Sequence, residues 1–237
     1  MEQVVVGLDI GTTKTCAVIG FLNENGQIEI AGVGTAPSRG LKNGIIVNID
    51  NTVSSIVKSI EDAELMAGSE VSSVFVGITG QHVKGENSRG VVAVANRNRT
   101  ITPVEIKRVI EAAQAVVIPM DREIIHVLSK EFSVDDQTGI KDPIGMSGVR
   151  LEAEVHIITG ASASIQNLLK SVNKAGFHCA DMIFSPLAAS EATLSRDERD
   201  LGVALVDIGG GTTDVIVYVE GGVAYSSVLS IGGIHVT

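Results

Sequence analysis

The chain has 237 residues, of which 44% are hydrophobic and 19% charged, with a formal net charge of −10 and an isoelectric point near 4.9. This acidic balance, together with 3% aromatic residues and no tryptophan, argues against binding to a nucleic-acid backbone or stacking on its bases. No stretch approaches the roughly 20 apolar residues of a membrane span, and the first residues lack the basic start of a signal peptide, so we expect a cytoplasmic protein.

Neither the cysteines nor the histidines follow a disulfide or metal-ligand pattern. Cys16 and Cys179 each lie inside an apolar stretch, and we interpret both as reduced thiols. The five histidines lack a ligand spacing such as HExxH, so a metal site built from histidine or cysteine is not expected.

The first part of the chain predicts three strands, a helix and a fourth strand. The runs QVVVGLDIG, TCAVIGFL, IEIAGVGTA and SSVFVGITG are typical of buried strands, with NENG as a hairpin turn. A helix is predicted with Asp50 or Asn51 as the cap at its start and Gly68 at its end. Its apolar face repeats at helical spacing through Val53, Ile56, Val57 and Ile60. This order indicates one α/β layer unit.

From about Val83 the pattern becomes that of a small α+β module. The helix TPVEIKRVIEAAQAVVI begins with a capping box of Thr102 and Glu105, and Pro103 stands in its first turn. A strand, REIIHVLSKEFSV, and a glycine-containing loop follow. In the next strand, VRLEAEVHIITG, apolar and polar residues alternate, so we expect an antiparallel strand with one face in water. We interpret residues 83–160 as an inserted module.

After the module, the α/β pattern of the first part of the chain resumes. SASIQNLLKSVNKAG predicts a helix, CADMIFSP a strand and PLAASEATL a short helix begun by Pro186, and SRDERD reads as a charged surface joint. Three further strands follow. The chain stops at SIGGIHVT, inside a glycine-rich turn, which favours a fragment that lacks its second half.

One phrase occurs twice in the chain. GLDIGTTKTCAV and LVDIGGGTTDV share an apolar run, an acid, a glycine-threonine turn and a second apolar run, and each continues into a three-strand meander. The matching acids are Asp9 and Asp207. Two copies this far apart predict two related domains.

Turns of this composition are suited to binding phosphate. Converging backbone N–H groups and hydroxyls form an anion nest, and glycine lets the backbone approach the anion closely. One such turn is more often an ordinary hairpin, but two can clamp a polyphosphate from both sides. The candidate phosphate-binding residues are Gly11, Thr12, Thr13, Lys14, Gly209, Gly210, Gly211, Thr212 and Thr213. Asp9 and Asp207 are the candidate ligands of a hydrated Mg²⁺ ion.

These motifs resemble the actin, DnaK-chaperone and sugar-kinase ATPase superfamily. DIGTTKT and DIGGGTTD resemble its two phosphate motifs, and FSPLAASEA its connect-1 helix. Within that superfamily GVGTAPSRGLKNG, REIIHVLSKEF and GIKDPIGMSGVRLEAEVHIITG resemble the FtsA family of bacterial cell-division proteins. The resemblance covers essentially the whole chain.

The resemblance implies the fold class and domain organisation. We expect an α/β, actin-like (ribonuclease H-like) core with an inserted α+β subdomain and the start of a second duplicated domain. Residues 1–82 and 161–201 would form subdomain 1A, residues 83–160 the SHS2-like subdomain 1C, and residues 202–237 the truncated start of subdomain 2A.

The resemblance also implies a function. It implies ATP and Mg²⁺ as cofactors, protofilaments assembled through subdomain 1C, and a link from the FtsZ ring to the inner membrane at midcell. Contacts with FtsZ through subdomain 2B, the membrane helix and the adenosine pocket would lie outside these residues. Other divisome proteins are implied partners. Ser185 stands near where related ATPases have a Glu or Gln, so no catalytic residue is assigned and weak or absent hydrolysis is expected.

Two other functions stay open. A PilM-like scaffold of pilus assembly shares the 1C-type insertion and binds a peptide. A sugar-kinase-type phosphotransferase would need an aspartate base in the cleft, where no candidate besides Asp9 and Asp207 stands out.

Overall fold

The computed structural model describes residues 3–115 and 118–236. In chain order its elements are β1 (Gln3–Ile10), β2 (Lys14–Leu22), β3 (Ile28–Pro37), β4 (Leu41–Lys42), β5 (Ile45–Ile46), α1 (Ile49–Ala67), β6 (Ser73–Ile78), β7 (Lys84–Ala93), α2 (Pro103–Gln114), β8 (Arg122–Val134), β9 (Gln137–Ile140), β10 (Arg150–Ala161), α3 (Ser162–Lys174), β11 (His178–Phe184), α4 (Ser185–Thr193), α5 (Arg196–Leu201), β12 (Val203–Ile208), β13 (Thr213–Val219), β14 (Gly222–Leu229) and a 3₁₀ turn (Gly233–His235). Within these residues no helix is both long enough and apolar enough to cross a membrane.

The first sheet confirms the predicted α/β unit. Its strand order is β11-β6-β1-β2-β3, with β1 antiparallel to β2 and parallel to β6. Helix α1 lies directly on β3, because Gly34 has no side chain and a Cβ there would collide with the backbone of Ser59. The N-cap of α1 is Asn48, whose side chain accepts a hydrogen bond from the Asn51 N–H. The expected cap at Asp50 or Asn51 is therefore wrong, and the helix begins at Ile49.

The second sheet belongs to the inserted module and has the order β7-β10-β8-β9. The capping box of Thr102 and Glu105 is confirmed at the start of α2. The helix ends at Gln114, short of the predicted end at Ile118, and residues 116 and 117 lie outside the described residues. The loop expected after β8 contains a further short strand, β9, which pairs with β8 as a hairpin.

The expected water-facing side of β10 is wrong at two of its residues. Glu152 and His156 are 4% and 1% exposed. Glu152 forms ion pairs with Arg89 and Arg150. His156 Nε2 lies 2.7 Å from the hydroxyl of Ser226 on β14, in a hydrogen bond between the two. Because β10 is a central strand and β14 packs against it, these two polar residues are buried with partners.

The third sheet is the second meander, with the predicted three strands in the order β12-β13-β14. The charged joint before it contains a short helix, α5, capped by Ser195, whose hydroxyl accepts from the Glu198 N–H. Arg199 of this helix pairs with Glu191 of α4 at 2.5 Å. The joint is therefore ordered against the end of α4.

Candidate functional site

The first glycine-threonine turn joins β1 to β2 as a tight hairpin. The Gly11 N–H donates to the Lys14 carbonyl oxygen at 3.0 Å. A Cβ at Gly11 would lie only 2.9 Å from that oxygen, so glycine suits this close approach. The turn is also tied to β3, because the Ser38 N–H donates to the Thr13 carbonyl at 3.0 Å.

The second turn repeats this geometry between β12 and β13. The Gly209 N–H donates to the Thr212 carbonyl at 2.9 Å, the counterpart of the bond in the first turn. The 3₁₀ turn at the end of the described chain packs behind it, with the Ile234 N–H donating to the Gly210 carbonyl at 3.0 Å. The sequence duplication is therefore a duplication of local hydrogen bonding as well.

The two turns touch each other. A Cβ at Gly210 would lie 2.7 Å from Thr13 Oγ1, and a Cβ at Gly211 would lie 2.8 Å from Thr12 Oγ1. The absence of side chains at these two glycines allows this contact. The fold thus brings the two sets of candidate phosphate-binding residues to one place from distant parts of the chain.

The threonine hydroxyls of the two turns have different roles in the structure. Thr12 Oγ1 accepts a hydrogen bond from the Gly44 N–H at 3.1 Å. Thr213 Oγ1 donates to the Ile231 carbonyl at 2.7 Å. Thr212 is 5% exposed, whereas Thr13 and Lys14 are exposed. Thr13 and Lys14 are therefore the candidate side chains most open to a ligand.

The two candidate metal ligands line one cavity of about 370 Å³. Loss of solvation raises the pKa of the Asp9 carboxyl above its ordinary value although part of the residue stays open to the cavity, and the charge of Asp207 raises it further. Lys14 acts in the opposite direction on the same pKa. A largely desolvated carboxyl beside a second acid is a place where a cation would be stabilised.

The donor set fits a hydrated Mg²⁺ ion better than a fully protein-bound metal. Among the described residues no group of three or more His, Cys, Asp and Glu side chains could hold a metal ion. Mg²⁺ commonly keeps several waters and takes one or two carboxylates together with substrate phosphates. Asp9 and Asp207 would supply those carboxylates, and the ion would neutralise phosphate charge.

Ser185 faces the same space as the acids. A Cβ at Gly77 would lie 2.9 Å from Ser185 Oγ and 3.2 Å from Asp9 Oδ1. The Ser185 hydroxyl is buried and has no hydrogen-bond partner among the described residues. The residue expected near the connect-1 water position thus lies at the cavity, but it carries no carboxylate.

Asp214 is a site residue that the sequence reasoning did not select. It is 3% exposed, and its carboxylate accepts a hydrogen bond from the hydroxyl of Thr79. Burial raises its pKa to about 6, with the charge of Asp207 acting in the same direction and the Thr79 bond against it. A signal was present in the sequence, because Asp214 shares the inward face of β13 with Ile216 and Tyr218.

Comparison with known protein families gives a match to the inserted module. The family model described as the SHS2 domain inserted in FTSA matches residues 80–159. The chain is 51% identical over 236 residues to the cell division protein FtsA of Borreliella burgdorferi, 48% over 235 residues to that of Pseudomonas aeruginosa and 38% over 236 residues to that of Escherichia coli K12. These matches cover 99–100% of this chain and 56–57% of the relatives. The chain therefore spans a little more than half the length of the curated relatives it matches.

Solved structures support the fold. A PilM-PilN type IV pilus biogenesis complex is similar with a TM-score of 0.69 at 16% identity, covering 98% of this chain and 62% of that one. The ethanolamine utilization protein EutJ from Carboxydothermus hydrogenoformans is similar with a TM-score of 0.54 at 15% identity, covering 98% and 54%. At these identities the likeness shows the fold alone, whereas the sequence matches extend along the whole chain. The chain is thus similar along its whole length to FtsA cell division proteins, at 38–51% identity, and has an actin-like α/β fold with a match to the SHS2 domain inserted in FTSA.

Proposed function

We propose that this chain carries the phosphate clamp of an actin-like, ATP-binding cell-division protein. The observation that carries the proposal is the direct contact of two turns with matching hydrogen bonds, at Gly11 and at Gly209. Backbone N–H groups of both turns would bind the polyphosphate of ATP. Asp9 and Asp207 would hold its Mg²⁺ ion through one or two direct or water-mediated contacts.

The proposed role of nucleotide is conformational more than catalytic. A general base near the attacking water is the usual source of rapid hydrolysis. Ser185 is the candidate side chain beside the acids in the cavity, and a serine hydroxyl cannot serve as a carboxylate base. We therefore expect tight nucleotide binding in the whole protein with slow hydrolysis.

The proposed cellular role rests on the similarity to FtsA cell division proteins. The protein would assemble into protofilaments through the inserted module at residues 83–160 and link the FtsZ ring to the inner membrane on its cytoplasmic face at midcell. The FtsZ contact, the adenosine pocket and the membrane helix would be supplied by segments outside this chain. Other divisome proteins would be further partners.

The test is a calorimetric titration of the full-length protein with ATP, in Mg²⁺ and in EDTA. We expect Asp207→Asn and Asp9→Asn to weaken ATP binding in Mg²⁺ by about tenfold or more and to change it little in EDTA, since the acids act through the ion. Asp200→Asn is the matched control, because Asp200 is exposed on α5 outside the cavity. Equal losses of ATP affinity in Mg²⁺ and in EDTA, with a lower melting temperature, would mean that the two acids only stabilise the turns.

A further inference from the structure

The hydrogen bond between Asp214 and Thr79 joins two sheets that are far apart in sequence. Asp214 is the second residue of β13, directly after the second turn, and Thr79 follows β6 of the first sheet. The two residues are 135 positions apart. The bond therefore connects the strand that carries the second phosphate turn to the sheet that carries the first.

The contacts of Thr79 continue towards the first turn. Residues 79 and 80 pack against Gly44, where a Cβ would lie 3.1 Å from the Thr79 carbonyl oxygen. The Gly44 N–H in turn donates to Thr12 Oγ1 at 3.1 Å. Since Thr12 also contacts Gly211, the two turns are joined twice, once directly and once through Asp214, Thr79 and Gly44.

An acid at this position is costly for the fold. Desolvation raises the pKa of Asp214, and the carboxyl stands cross-strand from Asp207. Its neighbours on the inward face of β13, Ile216 and Tyr218, are the kind of residue that burial favours. A side-chain hydrogen bond with Thr212 also acts on the carboxyl. Asp214 thus interacts with Thr212 of the second turn and bonds to Thr79, which packs against Gly44.

We propose that Asp214 is a positioning residue, which fixes the spacing of the two phosphate turns through its hydrogen bond with Thr79. The inference rests on the proposed phosphate clamp. It goes beyond that clamp by giving Asp214 a role that is neither metal binding nor contact with the nucleotide. The spacing matters most for a ligand that both turns grip, so ATP binding depends on the bond and AMP binding does not.

The first experiment compares ATP and AMP affinity in the full-length protein with Mg²⁺. Thr79→Val removes the donor at nearly constant volume and leaves the buried acid without that partner. We expect a loss of about tenfold or more in ATP affinity, a change within about twofold for AMP, and rescue by Thr79→Ser. Thr193→Val is the matched control, because the exposed Thr193 hydroxyl donates within its own helix α4, to the Ala189 carbonyl. Equal losses for ATP and AMP would overturn the inference.

Asp214→Asn separates positioning from metal binding. The amide oxygen still accepts from Thr79, so we expect Asp214→Asn to keep ATP affinity within about threefold and Asp214→Ala to lose at least as much as Thr79→Val. If the asparagine variant is as weak as the alanine variant and its loss disappears in EDTA, Asp214 acts on the metal and the inference is wrong.

A ligand-free measurement keeps this inference distinct from the proposed function. Urea unfolding of wild type, Thr79→Val, Asp214→Ala and the double variant forms a double-mutant cycle. We expect the double variant to unfold at about the midpoint of the weaker single variant. Additive shifts would show that the bond does not couple the sheets, whatever the result with ATP. Absent ATP binding by wild type would overturn the phosphate clamp, and with it the effect on affinity, even if the cycle shows coupling.

Discussion

At the scale of single residues, His82 makes the stability of the fold depend on pH. Desolvation lowers the pKa of His82 to about 4, and the nearby charge of Arg122 acts in the same direction. Neither ring nitrogen has a hydrogen-bond partner among the described residues. The neutral imidazole is therefore the form that the folded protein accommodates.

This pKa shift predicts an acid-sensitive stability. The folded-state pKa lies below the unfolded value of 6.5, so the unfolded chain binds more protons between these pH values. The stabilising contribution is complete above about pH 6.5 and is lost as pH falls towards 4, by up to about 3 kcal/mol. Urea unfolding of His82→Gln should show a smaller loss of stability between pH 7 and pH 4.5 than wild type. The exposed His178 gives the control variant His178→Gln. A wild-type pH dependence in His82→Gln would show that other groups carry the effect.

Burial also lowers the pKa values of His126 and His156, so some acid sensitivity should remain in the His82 variant. The ionisation of Asp214 changes the stability with pH in the opposite direction. Its pKa is raised from 3.8 to about 6, so its contribution is present below pH 3.8 and is lost as pH rises through 6. The net profile between pH 4 and pH 6 is therefore shallower than the histidines alone would give.

At the scale of elements, the contact at Gly34 sets the distance between helix α1 and strand β3. The helix lies close enough to the strand that a Cβ at Gly34 would collide with the Ser59 carbonyl, which is backbone and cannot rotate away. We expect Gly34→Ala to destabilise the protein by about 2 kcal/mol or more in thermal or urea unfolding. Gly7→Ala on β1 is the matched control, since no atom lies within 4 Å of a Cβ built there. Equal effects at the two glycines would mean that α1 can shift without cost.

Some of these elements and contacts can be predicted from the sequence, and others cannot. Strand and helix positions, the capping box at Thr102 and the repeated turns follow from local composition and spacing, because they depend on neighbours a few residues away. The burial of His156 does not, since it depends on Ser226 of a strand 70 positions later. The Asp214–Thr79 bond is another long-range contact. What lay beyond prediction is therefore the docking of one element on another.

At the scale of the whole molecule, the inserted module is joined to both neighbouring sheets. Ile158 of β10 belongs to the same apolar cluster as Leu8 and Phe184 of the first sheet. Asn87 of β7 donates to the Ala224 carbonyl of β14 at 2.9 Å. Removing residues 83–160 would thus expose two packed surfaces, so surface variants test the assembly role of the module more cleanly than deletion.

We expect charge reversal beside the outer edge strand β7 to change assembly without changing nucleotide binding. Arg97 and Arg99 are exposed just beyond this strand, and complementary charge at an edge can set the register of a contact. In the full-length protein, Arg97→Glu with Arg99→Glu should abolish or alter filaments on lipid in electron microscopy while ATP affinity stays within about twofold. Lys170→Glu on the exposed side of α3 is the control. Unaltered filaments would remove this edge from the assembly surface.

The central claim is that the two contacting turns bind polyphosphate, and it can be tested by binding measurements on this chain itself. Both turns lie in these residues and the adenosine pocket is proposed to lie outside them, so Mg²⁺-tripolyphosphate and Mg²⁺-ATP should bind with similar dissociation constants, weaker than about 100 μM. Gly211→Val, whose side chain would enter the contact with Thr12, should abolish binding of both, and Thr193→Val at the exposed end of α4 should change neither. A micromolar constant for ATP with no binding of tripolyphosphate would contradict the account, because the chain would then recognise the nucleoside and not the phosphates.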